Sequence, residues 1–131
     1  AQKAEVVIGN VAPALLTGSP NLKWVQLNSA GTDGYTTGAL PEGTILTNAT
    51  GVGMKPFEGQ MLLPDDSFLR PDLIVSDVVY NPRKTHLLEV AEKKGCRTLN
   101  GLGMMLWQGA RAFEIWTGKQ MPVDYIKSIL F

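Results

Sequence analysis

Apolar positions along the chain fall into short runs, each closed by turn-forming residues. Val6-Val7-Ile8 ends at Gly9-Asn10, and Lys23-Trp24-Val25-Gln26-Leu27 ends at Asn28-Ser29-Ala30-Gly31. Thr44-Ile45-Leu46-Thr47-Asn48 forms a third run and Leu73-Ile74-Val75-Ser76-Asp77-Val78-Val79 a fourth, with Arg97-Thr98-Leu99 a weak fifth. β-Branched enrichment with Gly or Asn at the C-terminal ends predicts buried parallel strands.

The segments between the runs differ in the two halves. Residues 13–17 allow only a short helix before Gly18-Ser19-Pro20, and residues 32–41 carry glycines that keep any helix brief. Pro56, Pro64 and Pro71 make residues 55–72 mostly loop. The second half has helical spacing. Thr85 to Lys94 places Leu87, Leu88 and Ala91 on one face before Gly95. Leu102 to Thr117 is the longest candidate and ends at Gly118, while Pro122 suits the first turn of a last helix through Leu130. Alternation of strands and helices predicts an α/β fold with right-handed crossovers.

Composition narrows this picture. The 131 residues suit one domain over 1–131 with one core. Lys plus Arg total 12 and Asp plus Glu total 12. That balance gives no electrostatic reason to expect a nucleic-acid partner, and it leaves colloidal repulsion weak. No apolar run approaches a membrane span, and Ala1-Gln2-Lys3-Ala4-Glu5 does not read as a signal peptide, so a cytoplasmic origin without a membrane partner is expected. With Cys96 and His86 each single, a zinc site is nearly excluded and no metal is expected. His86 at a helix start reads as structural or solvated, and Cys96 as a small buried residue. Asp65-Asp66 reads as capping or solvation. Trp24, Trp107 and Trp116 read as core or helix-packing residues.

Two resemblances refine these expectations. Ala4-Glu5-Val6-Val7-Ile8-Gly9-Asn10, Pro20-Asn21-Leu22-Lys23-Trp24-Val25-Gln26-Leu27-Asn28-Ser29-Ala30-Gly31-Thr32-Asp33, Leu40-Pro41-Glu42-Gly43 and Thr47-Asn48-Ala49-Thr50-Gly51 resemble the flavodoxin-like substrate domain of D-2-hydroxyacid dehydrogenases, over residues 1 to 50. Asn48-Ala49-Thr50-Gly51-Val52-Gly53-Met54-Lys55-Pro56, Asp77-Val78-Val79-Tyr80-Asn81-Pro82 and Asn100-Gly101-Leu102-Gly103-Met104-Met105-Leu106-Trp107-Gln108-Gly109-Ala110 resemble the C-terminal, Rossmann-like half of shikimate or quinate dehydrogenase, over residues 44 to 131. Together they imply an engineered chimera joined near Thr47-Asn48-Ala49-Thr50, with a five-stranded parallel sheet of order 1-2-3-4-5 and helices on both faces.

The resemblances also imply site residues. Ala30 and Gly31 match a loop whose amides hold a substrate carboxylate. Gln108 matches a side chain that hydrogen-bonds substrate, with Tyr80 near the same pocket. Gly101 and Met104 match nicotinamide contacts, and Thr50, Gly51 and Met54 the loop at the nicotinamide end. The first family's His, Glu and Arg and the second family's Lys and Asp have no counterparts here, and no G-x-G-x-x-G occurs in the chain. The expectation is therefore an inert scaffold with no catalytic residue and no cofactor, or NADP at most weakly; the alternative is an NADP- or anion-binding oxidoreductase fragment. Trp107, Phe113, Trp116, Tyr125, Ile126 and Phe131 have no evident cover if a domain is missing, and an uncovered apolar face or a free edge strand predicts a homodimer.

Overall fold

A computed structural model describes residues 3–9, 11, 15–16, 18–27, 41–63, 66–67 and 69–130. Within them five strands, β1 (Val6–Ile8), β2 (Trp24–Leu27), β3 (Ile45–Asn48), β4 (Ile74–Asp77) and β5 (Arg97–Leu99), form one parallel sheet in the order β1-β2-β3-β4-β5. The helices are α1 (His86–Lys93), α2 (Leu102–Thr117) and α3 (Val123–Leu130). The parallel sheet and the helices are those the periodicity predicts, and the strand order is the one the resemblances imply. The short helix expected over 13–17 and the glycine-rich stretch 32–41 fall largely outside the described residues.

Register decides which side chains meet. Val7, Val25, Leu46, Val75 and Thr98 are successive partners across the sheet, so they share one face. Against that face lie Leu87, Leu88 and Ala91 of α1 and the loop residues Leu62, Leu63, Leu69 and Leu73, which together make the core. Each fully buried side chain of this size stabilises by about 1.5–3 kcal/mol. Cys96 is buried at the rim, where its thiol donates to the Arg70 carbonyl at 3.1 Å and burial pushes its pKa up.

The opposite face is barely covered. Its rows are Val6-Trp24-Ile45-Ile74-Arg97 and Ile8-Gln26-Thr47-Ser76-Leu99. Of these Val6, Ile8, Trp24 and Leu99 are exposed. Along α2 the fully buried residues are Leu102 and Leu106, and α3 has none. This corrects the reading of the tryptophans as core or helix-packing residues: Trp24, Trp107 and Trp116 are all exposed, Trp116 to 83%. Helical spacing identifies an apolar stripe but does not supply the surface that would cover it.

The entries to β3 and β4 are tied by polar contacts. Arg70 Nε donates to Asp72 Oδ1 at 2.8 Å, its guanidinium also reaches the Pro41 carbonyl at 2.9 Å, and the Gly43 amide donates to Asp72 Oδ2. Burial acts to raise the Asp72 pKa, but hydrogen bonds from Arg70 and Gly43 and the charge of Arg70 outweigh it and hold the carboxyl below its ordinary range.

Candidate functional site

The C-terminal ends of β3 and β4 open into two loops that face each other across a cavity of ≈ 190 Å³. Thr50, Met54, Lys55 and Glu58 line one wall, and Val78, Val79, Tyr80 and Asn81 the other. In parallel α/β sheets this end of the strands is where ligands settle.

Asn48, the last residue of β3, builds the first wall. Its side-chain oxygen accepts from the Thr50 amide at 3.0 Å and from Thr50 Oγ1 at 2.8 Å, while the Val52 amide donates to Thr50 Oγ1. Its Nδ2 donates to the Val52 carbonyl and to Asp77 Oδ1. An Asx turn of this kind substitutes side-chain bonds for a further turn of ladder. Gly53 follows at φ 102°, a conformation costly for other residues, with its amide bonded to the Phe57 carbonyl.

Asp77 and Thr85 build the second wall. The Val79 amide donates to Asp77 Oδ1 at 3.0 Å, and Thr85 Oγ1 donates to Asp77 Oδ2 at 2.7 Å. Thr85 is also the N-cap of α1 and accepts from the Leu88 amide. Each loop carries one cis X–Pro bond, Lys55–Pro56 and Asn81–Pro82.

The residues predicted from the sequence are partly brought together. Thr50, Met54 and Tyr80 line the one cavity, and Gly51 lies between Thr50 and Met54 in the same wall. Gly101 is buried behind the second wall, its amide bonded to the Val79 carbonyl at 3.0 Å. Met104 and Gln108 are both exposed one turn apart on α2, four residues from each other and so on one helix face. Ala30 and Gly31 lie outside the described residues. Sequence reasoning missed Lys55, Glu58 and Asn81 in the walls and Asn48, Asp77 and Thr85 behind them. A threonine just before an apolar-periodic helix is a usable N-cap signal; Asn48 and Asp77 had none, because their contact depends on register.

The family model that matches is the shikimate 5'-dehydrogenase C-terminal domain, over residues 101–131. The NADP(+)-type shikimate dehydrogenases of Listeria monocytogenes and Listeria innocua are 75% identical over 92 residues, which is 70% of this chain and 32% of theirs. The chain thus spans about a third of the curated relatives it matches. The solved Listeria monocytogenes shikimate 5-dehydrogenase, in complex with shikimate and NAD, superposes with a TM-score of 0.67 at 46% identity over 96% of this chain and 55% of its own. A further shikimate dehydrogenase, in complex with NADP+, gives a TM-score of 0.69 at 24% identity over 99% of this chain and 54% of its own, a likeness of fold.

These matches correct three expectations. A splice between two families is not needed, because one shikimate-dehydrogenase fold follows 96% of the chain from the first strands onward. Short apolar runs closed by Gly or Asn recur in any parallel α/β sheet, which is why residues 1 to 50 read as a D-2-hydroxyacid-dehydrogenase segment. The engineered, inert scaffold is overturned by the 75% identity to NADP-dependent enzymes. That no cofactor is expected is likewise at odds with relatives solved with NAD and NADP+. The C-terminal part of this chain resembles shikimate dehydrogenase.

Proposed function

We propose that the chain is a shikimate-dehydrogenase-type oxidoreductase fragment whose strand-end cavity takes the nicotinamide end of NADP. The observation that carries this reading is the cavity itself, with Thr50, Met54 and Tyr80 on facing walls at the C-terminal edge of the sheet. The residues present fit a flat, weakly polar ring. Exposed Met54 offers an adaptable thioether face and Tyr80 an aromatic one, and Thr50 and Asn81 supply polar edges. Gly51 and Gly53 keep the first wall's backbone free of side chains. When bound, the nicotinamide supplies hydride chemistry.

The chain's own part is to hold and orient. Thr50 and Met54 line one wall, with Gly51 between them in the chain, and Tyr80 lines the other, with the Gly101 amide bonded to the Val79 carbonyl behind it. Met104 and Gln108 stand on the same face of α2, and Gln108 is the group proposed to hydrogen-bond a polyhydroxylated substrate of the shikimate type. No residue is assigned as proton donor. Calorimetric titration with NADP and NAD, with and without shikimate, tests the reading: saturable binding tighter than about 100 μM is expected, and no heat at millimolar nucleotide sinks it.

A second copy of this chain is proposed as the cover for α2 and α3. Between these helices lies an open groove of ≈ 730 Å³ lined by Trp107, Arg111, Glu114, Asp124 and Tyr125. It carries both signs of charge beside aromatic surface, a mixture that a self-complementary two-fold interface can use. The net charge of zero sets up no net repulsion against such pairing.

A further inference from the structure

The Asp77 carboxyl is 2% exposed and accepts three hydrogen bonds, each from a different part of the fold. Asn48 Nδ2 comes from the end of β3 at 3.1 Å, the Val79 amide from the second cavity wall at 3.0 Å, and Thr85 Oγ1 from the cap of α1 at 2.7 Å. No ion pair reaches it among the described residues. Asn48 is saturated as well, its oxygen holding Thr50 and its nitrogen holding Val52 and Asp77.

Thr85 closes a second link. A Cβ on Gly53 would stand 3.0 Å from Thr85 Cγ2, so the Gly53 backbone lies directly against that methyl. The hydroxyl of Thr85 therefore grips the second wall through Asp77 while its methyl seats the first wall at Gly53. Both side chains lie outside the cavity, and neither lines it.

We propose that Asp77 and Thr85 are the positioning residues of the cavity: they lock its two walls and the first turn of α1 into one unit that opens together. A buried, fully satisfied polar cluster has this effect because no member can move without stranding another. Where ligand binding is concerned, the inference rests on the NADP reading above; the coupling of the walls stands apart from it.

Amide hydrogen exchange followed by NMR separates this from simple helix capping. In Thr85→Val the Thr50, Gly53 and Val79 amides are expected to exchange at least about tenfold faster together, with Thr85→Ser restoring them to within about threefold of wild type. Faster exchange confined to Leu88 and its neighbours in α1 overturns the proposal. A reading that needs no variant comes from wild-type exchange across a low-urea series. There the amides of Thr50, Gly53, Val79 and Leu88 are expected to share one opening free energy and one urea slope, and distinct slopes overturn the proposal even if Thr85→Val does not fold. The same samples titrated with NADP keep the two readings apart. Absence of NADP binding to wild type with a shared opening removes the function alone, whereas NADP binding with unlinked walls removes the positioning role alone.

Discussion

Gly101 and Val78 are in backbone contact: the place where a Cβ of residue 101 would stand is filled by the Val78 carbonyl, with the Val79 carbonyl carbon close behind. Gly101 has an ordinary φ of −74°, so conformational freedom is not the reason for glycine here. Close approach is. It brings the start of α2 against the second cavity wall and lets the Gly101 amide satisfy the Val79 carbonyl.

Gly101→Ala is therefore expected to push α2 away from the Val78–Val79 segment. Both partners are backbone, so no flexible side chain can give way, and the cost is about 3 kcal/mol in urea unfolding. An equal change at Gly109, where a Cβ meets open space, is expected to be neutral or stabilising. Equal destabilisation at both positions would refute the close-approach reading.

Met54→Ala and Tyr80→Ala address the cavity without addressing the fold. Both side chains are about half exposed, so each variant should unfold within about 0.5 kcal/mol of wild type. Affinity for NADP is expected to fall about tenfold in each, a loss of about 1.4 kcal/mol. Unchanged affinity in both would place any nucleotide site elsewhere.

Thr85→Val keeps shape and removes a hydroxyl that both caps α1 and satisfies Asp77. The lost cap costs about 1 kcal/mol, and the stranded carboxyl oxygen adds about 1–3 kcal/mol. Thr85→Ser is expected to cost under about 1 kcal/mol, since both bonds remain possible. Thermal or urea melts of the pair decide it: a larger loss in Thr85→Ser than in Thr85→Val would assign the effect to the methyl against Gly53.

Much of this fold is legible in the chain. Runs closed by Asn or Gly mark β1, β2, β3 and β5, a β-branched run marks β4, and Gly118 marks the end of α2, where it adopts φ 68°. What is not legible depends on other parts of the molecule. Asn48 and Asp77 meet because β3 and β4 pair in the register that sets them side by side, 29 residues apart, just as Thr47 and Ser76 share a hydroxyl contact at 2.6 Å. Trp116 has the spacing of a packed residue and stands in solvent, because apolarity states a preference for burial without providing a partner. In residues 1 to 50 the strand ends suggest a second parallel α/β family, whereas residues 77–82 and 100–110 carry the resemblance to shikimate dehydrogenase.

Asp72 predicts how stability depends on acid. Its folded pKa lies below the unfolded one, so its contribution is fully present above the unfolded value and is lost as pH falls through the folded value. Wild type should therefore lose urea resistance on going from neutral pH to below about pH 4. Asp72→Asn should begin less stable and show a shallower acid limb, since Arg70 and Gly43 then face a group that does not titrate. Parallel pH profiles for the two proteins would show that this link contributes nothing measurable.

Self-association is the last consequence, and it turns on the two helices that the sheet leaves uncovered. Ile115, Trp116, Tyr125 and Ile129 are 67%, 83%, 65% and 62% exposed, a concentration of apolar surface unusual for a chain that stays single. A second copy placed by a two-fold axis would cover this exposed surface of α2 and α3. Analytical centrifugation at micromolar concentration is expected to show a dimer for wild type and a monomer for Trp116→Arg. Because Trp116 contributes almost nothing to the core, that substitution should leave the melting temperature of the isolated protomer close to wild type. A wild-type chain that sediments only as monomer would remove the dimer, and a dimer indifferent to Trp116→Arg and Ile129→Lys would move its interface to the exposed sheet face around Val6, Ile8 and Trp24.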